Sequence, residues 1–247
     1  MVSRMVQELD FNASNDQNES LDDLLFTTLF KSLEVFNPEF HLAEKYRLFC
    51  HCREKTAGLE WDESQVLDWL GQNDWASEQW IAERLRLASI AENQRPWFWK
   101  EPNTHVIIER LLSLDPHLKY IHVVRNAFDM ALSQNQNQIR FWGEALFGRK
   151  FEETVQDRID FWCRVQRRIL AIRDEFPERV LFVTYDLLVD QFEIEIQKIA
   201  RFVGKSDQNL GYLKKLIRPA STGRGNIIDR GSFCDANLET LKEFGFY

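Results

Sequence analysis

The stretch that most constrains the fold is Lys119–Ser133, which reads KYIHVVRNAFDMALS. It opens with a run of β-branched and aromatic residues, from Tyr120 to Val124, that predicts a buried strand. Asn126 can cap a helix, and the apolar residues after it suit a helix that packs on a sheet. Arg125 therefore stands where a strand passes into a helix. In parallel α/β sheets, ligands bind at this carboxyl edge.

Ser133 follows Arg125 by eight residues, which corresponds to about two turns of a helix. Helical side chains lean toward the amino end of their helix. An arginine at the strand end and a hydroxyl on the next helix could then bind one anion together. An ordinary strand–helix turn with a surface arginine is the other interpretation, and these residues alone leave both open.

Length and charge limit the function classes that need to be considered. The chain has 247 residues and no apolar run as long as a membrane span. Its first residues lack the apolar stretch of a secretory signal, and four cysteines are too few for a disulfide scaffold. We therefore expect a cytoplasmic protein without a transmembrane segment. The net charge of −8 argues against a nucleic-acid partner, although a local cluster of donors could still bind an anion.

A second candidate segment precedes the first. Trp97–Trp99 predicts a short strand, and Thr104–Leu114 predicts a helix that leads to the next strand. So short a crossover predicts a parallel pair of strands with a right-handed connection. Lys100 and Glu101 would then lie at a carboxyl strand end, beside Arg125.

Two later segments add further candidates. Arg179–Asp186, RVLFVTYD, predicts another buried strand, which ends near Tyr185. Arg218–Gly225, RPASTGRG, is a basic loop in which backbone amides and the Arg224 guanidinium can bind a phosphate. A loop of this kind alone is more often a surface turn.

The amino-terminal part of the chain is mostly helical by pattern. Met1–Leu9 predicts a helix with one apolar face. Ser20 is a good N-cap for a predicted helix from Leu21 to about Phe36. Residues 20–95 as a whole read as helices without a diagnostic motif.

The order of these segments resembles that of the sulfotransferase family, which uses 3′-phosphoadenosine 5′-phosphosulfate (PAPS) as donor. The matching features are a Lys-Glu-Pro turn, a strand–Arg–helix–Ser segment, a strand ending in Tyr, and a late Gly–Arg loop. The resemblance implies that Arg125, Ser133 and Arg224 hold the donor's 3′-phosphate. It also implies that Tyr185 packs near the adenosine.

The resemblance also implies an architecture and an acceptor side. It predicts a three-layer α/β fold, in which helices flank a central parallel sheet. Residues 1–247 would form a single domain, with an acceptor-side helical region at about 20–95 and a cofactor-binding core at about 96–247. The acceptor would be a small molecule, a lipid or a carbohydrate that offers a hydroxyl or an amine.

The resemblance places Lys100 and Glu101 at the transfer site. Glu101 is the candidate base that removes a proton from the acceptor, and Lys100 would neutralise charge on the transferring group. His105 is the alternative base, although its place on the following helix favours a structural role. A Lys100–Glu101 ion pair in a local turn is nearly as good an interpretation of the two charges. No metal is required.

The chain departs from the family at its first residues. Family members begin with a strand and a Ser-Gly-Thr loop that holds the 5′-phosphosulfate, whereas this chain begins at the helix that follows. We therefore expect the first strand and its loop to be missing, so a truncated or inactive sulfotransferase-fold protein is an alternative. A P-loop kinase or NTPase with Asp186 as metal ligand is less favoured, because the sequence has no Walker A lysine.

Overall fold

The structure is a computed structural model that describes residues 1–54, 64, 66, 76–90, 96–205, 209–217 and 233–247. The chain divides into two compact units. Ser3–Ile107 is called the N-terminal unit here, and Met1–Val2 together with Ile108–Tyr247 is called the C-terminal unit. The assignment of the whole chain to a single domain stays a prediction. Within the described ranges, no helix has the length and apolarity needed to cross a bilayer.

Helices supply the regular secondary structure of the described part of the N-terminal unit, apart from isolated bridges. Its α-helices and two 3-10 helices are α1 (Val2–Glu8, of which Val2 belongs to the other unit), α2 (Leu24–Phe30), a 3-10 helix (Leu33–Phe36), α3 (Leu42–Glu54), α4 (Glu78–Ile90) and a second 3-10 helix (Pro102–Val106). The predicted first helix is confirmed by α1. Helices α2, α3 and α4 pack on one another around buried apolar side chains.

The helix predicted from Leu21 to about Phe36 is wrong in its start and its length. Leu21 has a φ of 65°, which lies outside the helical region. Asp23, rather than Ser20, is the N-cap of α2, and its carboxylate accepts a hydrogen bond from the amide of Phe26. The helix then stops at Phe30, and Ser32 caps a separate 3-10 helix. The apolar pattern predicts one helix, but the caps at Asp23 and Ser32 begin two separate helices.

The strand predicted at Trp97–Trp99 is also wrong. Trp97 forms an isolated parallel bridge with Asn12, and Phe98 donates its amide to the Asn12 carbonyl at 2.9 Å. The segment is held by its rings instead, because Trp99 stacks on Phe26 with ring centroids 5.2 Å apart. The aromatic run is typical of a strand, but Asn12 alone supplies its backbone partner.

The C-terminal unit contains both strands of the described sheet. Its elements are α5 (Ile108–Leu114), β1 (Tyr120–Val124), α6 (Ala127–Ala131), α7 (Asn137–Phe147), α8 (Val155–Glu175), β2 (Val180–Thr184), α9 (Tyr185–Asp190), α10 (Phe192–Phe202), a 3-10 helix (Gly211–Leu216) and α11 (Asp235–Glu243). Strands β1 and β2 pair in parallel, with Tyr120 opposite Val180 and Val124 opposite Thr184. The predicted α/β class is confirmed, with two strands in the described part of the sheet.

Helices cover the sheet and fix its position. The long helix α8 packs against α6, α11 and β2, and helices α9 and α10 also contact β2. Phe128, Ile159 and Cys163 share one buried cluster with Leu241 from α11. Burial of each such side chain stabilises the fold by about 1.5–3 kcal/mol. This core holds the carboxyl edge of the sheet in place.

Candidate functional site

The carboxyl ends of β1 and β2 bring two of the predicted residues together. Because the strands are parallel and in register, the residues that follow Val124 and Thr184 are neighbours. The guanidinium carbon of Arg125 lies 5.3 Å from the ring centroid of Tyr185, within cation–π range. Tyr185 is buried and Arg125 is half-buried. An arginine held against an aromatic face keeps its N–H edge oriented for an anion.

Asn126 forms the turn that directs Arg125. Its side-chain oxygen accepts hydrogen bonds from the amides of Phe128 at 2.9 Å and Asp129 at 3.3 Å, so it caps α6 as the sequence predicts. The amide of Asn126 donates to a carboxylate oxygen of Asp186 at 3.2 Å. Burial raises the pKa of Asp186 above its usual value, against the lowering effect of that hydrogen bond.

Asp186 therefore joins the two strand ends. In the sequence it stands out only as an acid after Tyr185, in a place that could equally hold a metal ligand. The structure instead shows its carboxylate bonded to the main chain of the neighbouring strand end. The signal in the sequence for this role of Asp186 is an acidic residue that directly follows the aromatic residue at a strand end.

Ser133 lies beyond the helix rather than on it, so its predicted placement is wrong. Helix α6 has five residues and ends at Ala131, and the Ser133 hydroxyl accepts a hydrogen bond from the amide of Asn135 at 3.3 Å. The side chain of Gln136 ends the helix by donating to the carbonyls of Met130 and Ser133, at 3.0 and 2.6 Å. Ser133 thus sits in a turn that a buried glutamine closes.

Arg158 is a further cation at this helix end that sequence reasoning missed. One of its terminal N–H groups donates to the Ala131 carbonyl at 2.8 Å, two residues before Ser133. Its position on α8, far along the sequence, left no local signal. Arg224, the remaining predicted phosphate ligand, lies outside the described residues.

Glu101 is a buried carboxylate in the N-terminal unit. It is the N-cap of the 3-10 helix at Pro102–Val106 and accepts a hydrogen bond from the Asn103 amide at 2.6 Å, and another from the Asn103 side chain. Burial raises the pKa of Glu101 to about 7, while the bonds from Asn103 lower it. The negative charge of Asp22 raises it further. A carboxylate with this pKa can exchange protons near neutral pH.

Lys100 pairs with Asp22 and not with Glu101. Its ammonium forms an ion pair with the Asp22 carboxylate and donates to the Ser20 carbonyl at 3.2 Å. Asn18 folds this loop by accepting from the amides of Ser20 and Asp22, both at 2.9 Å. The interpretation of the Lys-Glu pair as a local ion pair is therefore wrong. The Asn18–Asp22 loop is called the ammonium clasp below.

His105 is buried within the same 3-10 helix. Its depth agrees with the structural role that its position favours. Glu101 and Lys100 belong to the N-terminal unit, whereas Arg125, Ser133 and Tyr185 belong to the C-terminal unit. The candidate residues are thus divided between two compact parts of the chain.

Comparison with known proteins gives one finding. Residues 30–208 match the family model described as "Sulfotransferase family". The matched segment contains Lys100, Glu101, Arg125, Ser133 and Tyr185. No curated protein and no solved structure matches the chain significantly. The match covers well over half of the 247 residues.

Proposed function

Because the chain belongs to the sulfotransferase family, we propose that it transfers a sulfuryl group from PAPS to a hydroxyl or amine of an acceptor. The observation that carries the proposal is the guanidinium of Arg125 against the ring of Tyr185, at the carboxyl edge of β1 and β2. Phosphate recognition favours arginine, whose planar fork of N–H donors matches two phosphate oxygens. The acceptor is a small molecule, a lipid or a carbohydrate.

The 3′-phosphate of the donor is assigned to Arg125 and Ser133, with Arg224 as a third ligand. The Ser133 oxygen already accepts from the Asn135 amide, so its own O–H can donate to a phosphate oxygen. Tyr185 packs near the adenosine and fixes the arginine. When bound, the donor supplies an activated sulfuryl group on a phosphate leaving group.

Glu101 is assigned as the general base. It takes the proton from the acceptor oxygen or nitrogen as that atom forms its bond to sulfur, and the bond from sulfur to the bridging oxygen breaks. The electron pair of the broken bond stays on the phosphate oxygen. With a pKa of about 7, a large fraction of Glu101 is ionised at neutral pH. The same carboxylate is basic enough to accept a proton from the acceptor.

Lys100 is assigned to the charge of the transferring group. An ammonium has three N–H donors, and the clasp occupies two of them through Asp22 and Ser20. The third can approach a sulfuryl oxygen, and the side chain is one-third exposed. The clasp therefore orients Lys100 without using all of its donors.

The test is transfer of radiolabelled sulfate from PAPS to a panel of phenols, amines, glycans and lipid alcohols. We expect transfer to at least one class, with Glu101→Gln lowering kcat by about 10²–10⁴-fold and Arg125→Ala mainly raising the KM for PAPS. The matched control is Arg201→Ala, at an exposed position on α10. A folded protein that neither binds nor consumes PAPS would contradict the proposed function.

A further inference from the structure

A cavity lies in the C-terminal unit, at the carboxyl edge of β2. It is a cleft of about 600 Å³, partly open to solvent, and Asn126, Thr184 and Asp186 supply its wall at the strand ends. Sites for small molecules occupy about 300–1,000 Å³. Among the described residues, neither Arg125 nor Tyr185 lines it. The contact between Asn126 and Asp186 is part of its lining.

Aromatic side chains form much of the apolar surface of this cleft. Phe182, Phe244 and Phe246 contribute rings, with the centroids of Phe182 and Phe244 5.5 Å apart. Phe244 and Phe246 are stacked at 6.5 Å. Leu187 adds an aliphatic side chain that is 40% exposed. Such a lining favours a flat apolar ligand, because rings pack on one another in offset or edge-to-face contacts.

Carboxylates outnumber cations around the same cleft. Asp186, Asp190 and Glu243 line it, against Arg173 and Lys242. The Arg173 guanidinium is bound to Asp174 at 2.9 Å and lies 4.0 Å from Glu243.

The remaining cation is engaged as well. Lys242 lies 5.4 Å from the centroid of the Tyr247 ring. This contact leaves the charge of Lys242 in place, but three carboxylates against two cations still give the lining a net formal charge of −1. A negative lining disfavours the polyanionic donor and favours a ligand with a positive charge. The Phe182 ring already has the Arg173 guanidinium 5.6 Å from its centroid, and the faces of such rings attract cations.

We propose that this cleft binds a small aromatic molecule that carries a protonated amine, at a site separate from that of the donor nucleotide. The ring of the ligand packs among Phe182, Phe244 and Leu187. Its ammonium faces the carboxylates of Asp186 and Asp190. The inference uses only the cleft and its charges, so it does not depend on sulfuryl transfer.

Three probes of similar size test the charge preference: 2-phenylethylamine, 2-phenylethanol and phenylacetate, each titrated into the ¹⁵N-labelled protein. We expect the amine to bind tighter than the alcohol by about twofold to fivefold, which is the range for exposed charge pairs and cation–π contacts. Phenylacetate should bind more weakly than the alcohol. The shifted amides should be those of Thr184, Asp186 and Gly245. Equal binding of amine and carboxylate, or shifts elsewhere, would overturn the proposal.

Two variants show whether an added charge weakens amine binding only when it lies in the cleft. Leu187→Lys adds a cation at a lining position, whereas Ile194→Lys adds one at a site that is 57% exposed and does not line the cleft. Both positions are exposed, so both variants should fold. We expect Leu187→Lys to weaken amine binding by about fivefold or more and Ile194→Lys by less than about twofold. The same loss in both variants would contradict a local site.

Adenosine 3′,5′-bisphosphate decides whether the two sites are separate. We expect it to leave amine binding in place, while Leu187→Lys leaves the affinity for the nucleotide unchanged. Displacement of the amine by the nucleotide would show that the cleft belongs to the donor site and would overturn the proposal. If the nucleotide does not bind while the amine does, the proposed function fails and the cleft stands.

Discussion

The two units hold their candidate residues in place by different means. In the C-terminal unit, Arg125 and Tyr185 follow the ends of two paired strands, so hydrogen bonds of the main chain set their separation. In the N-terminal unit, Lys100 and Glu101 lie in a turn that depends on side chains. The partner of Lys100 is Asp22, which lies 78 residues earlier.

This difference between the units decides whether a local sequence pattern can predict the position of a candidate residue. A paired strand fixes the position of its last residue, whatever that residue is, because hydrogen bonds of the main chain hold the strand to its neighbour. A side chain held by an ion pair lies where its distant partner is. Positions of the first kind should tolerate substitution of the functional residue, and those of the second kind should respond to changes in their partners.

The largest expected effect is the loss of a buried ion pair in the N-terminal unit. Arg53 and Asp23 are bonded to one another, with 2% and 0% of their side chains exposed. Arg53→Met leaves the Asp23 carboxylate buried without its partner, which should cost about 3–5 kcal/mol. The free energy of unfolding is measured in urea.

Two matched variants complete this comparison. Arg86→Met breaks an exposed pair with Glu83 and should cost less than about 1 kcal/mol. Arg125→Ala, at a strand end, should likewise have a small effect on stability. A cost for Arg53→Met as small as that of the other two variants would contradict the dependence of the N-terminal unit on a buried pair of side chains.

The next effect is a dependence of stability on pH that Glu101 introduces. Its pKa is about 7 in the folded protein against an ordinary value of 4.5, so the unfolded chain releases this proton first as the pH rises. The protonated group's contribution to stability is complete below about pH 4.5. It is lost as the pH rises to about 7, and the loss amounts to about 3 kcal/mol.

Glu101→Gln tests this contribution, because the amide cannot ionise. We expect the variant to lose the fall in unfolding free energy between about pH 4.5 and 7. Glu178→Gln, at an exposed position, is the control and should keep the wild-type profile. An unchanged profile in Glu101→Gln would show that the pKa of Glu101 does not differ between the folded and the unfolded state.

A smaller effect is expected from the cap at the end of β1. Asn126→Ala removes the oxygen that accepts from the amides of Phe128 and Asp129, which should cost about 1 kcal/mol. Asn126→Ser keeps an N-cap oxygen and should recover most of that loss. Thermal unfolding of the two variants gives the comparison, and equal losses would argue against a capping role.

The smallest expected effect is on the ammonium clasp. Asp22→Asn removes the partly exposed ion pair with Lys100, at a cost of less than about 1 kcal/mol. It should also lower the pKa of Glu101, because the Asp22 charge raises that pKa. A ¹³C titration of the Glu101 carboxyl measures the change, and a higher pKa would contradict the coupling.

The sequence predicts the parts of the site that depend on strands. Both strands lie within two residues of the apolar runs that predict them, because such runs carry a strong local pattern. The predicted burial of β1 is wrong for most of its residues, since only His122 and Val124 are buried and Val123 is 42% exposed. Asn126 is the N-cap of α6, as the sequence predicts, because a good capping residue stands there between a strand and an apolar segment. These elements need no information from distant residues.

The missed features depend on individual side-chain contacts, some local and some distant. Ser133 lies past the helix because Gln136 bonds to the last carbonyls. Trp97 and Trp99 alternate like strand residues, but their rings pack against Phe49 at 5.8 and 5.4 Å. The pairing of Lys100 with Asp22 leaves no local pattern in the sequence, because the two positions lie 78 residues apart.

The central claim is that Arg125 recognises the 3′-phosphate of the donor. The most direct test is calorimetric binding of two nucleotides, adenosine 3′,5′-bisphosphate and adenosine 5′-monophosphate, to the wild type and to Arg125→Ala. We predict that the wild type prefers the bisphosphate by about 1.5–3 kcal/mol, the range for hydrogen bonds to charged groups. The variant should lose most of this preference and keep only the part that Ser133 and Arg224 supply, while its affinity for the monophosphate stays near that of the wild type. An undiminished preference for the bisphosphate in a folded Arg125→Ala variant would contradict the claim.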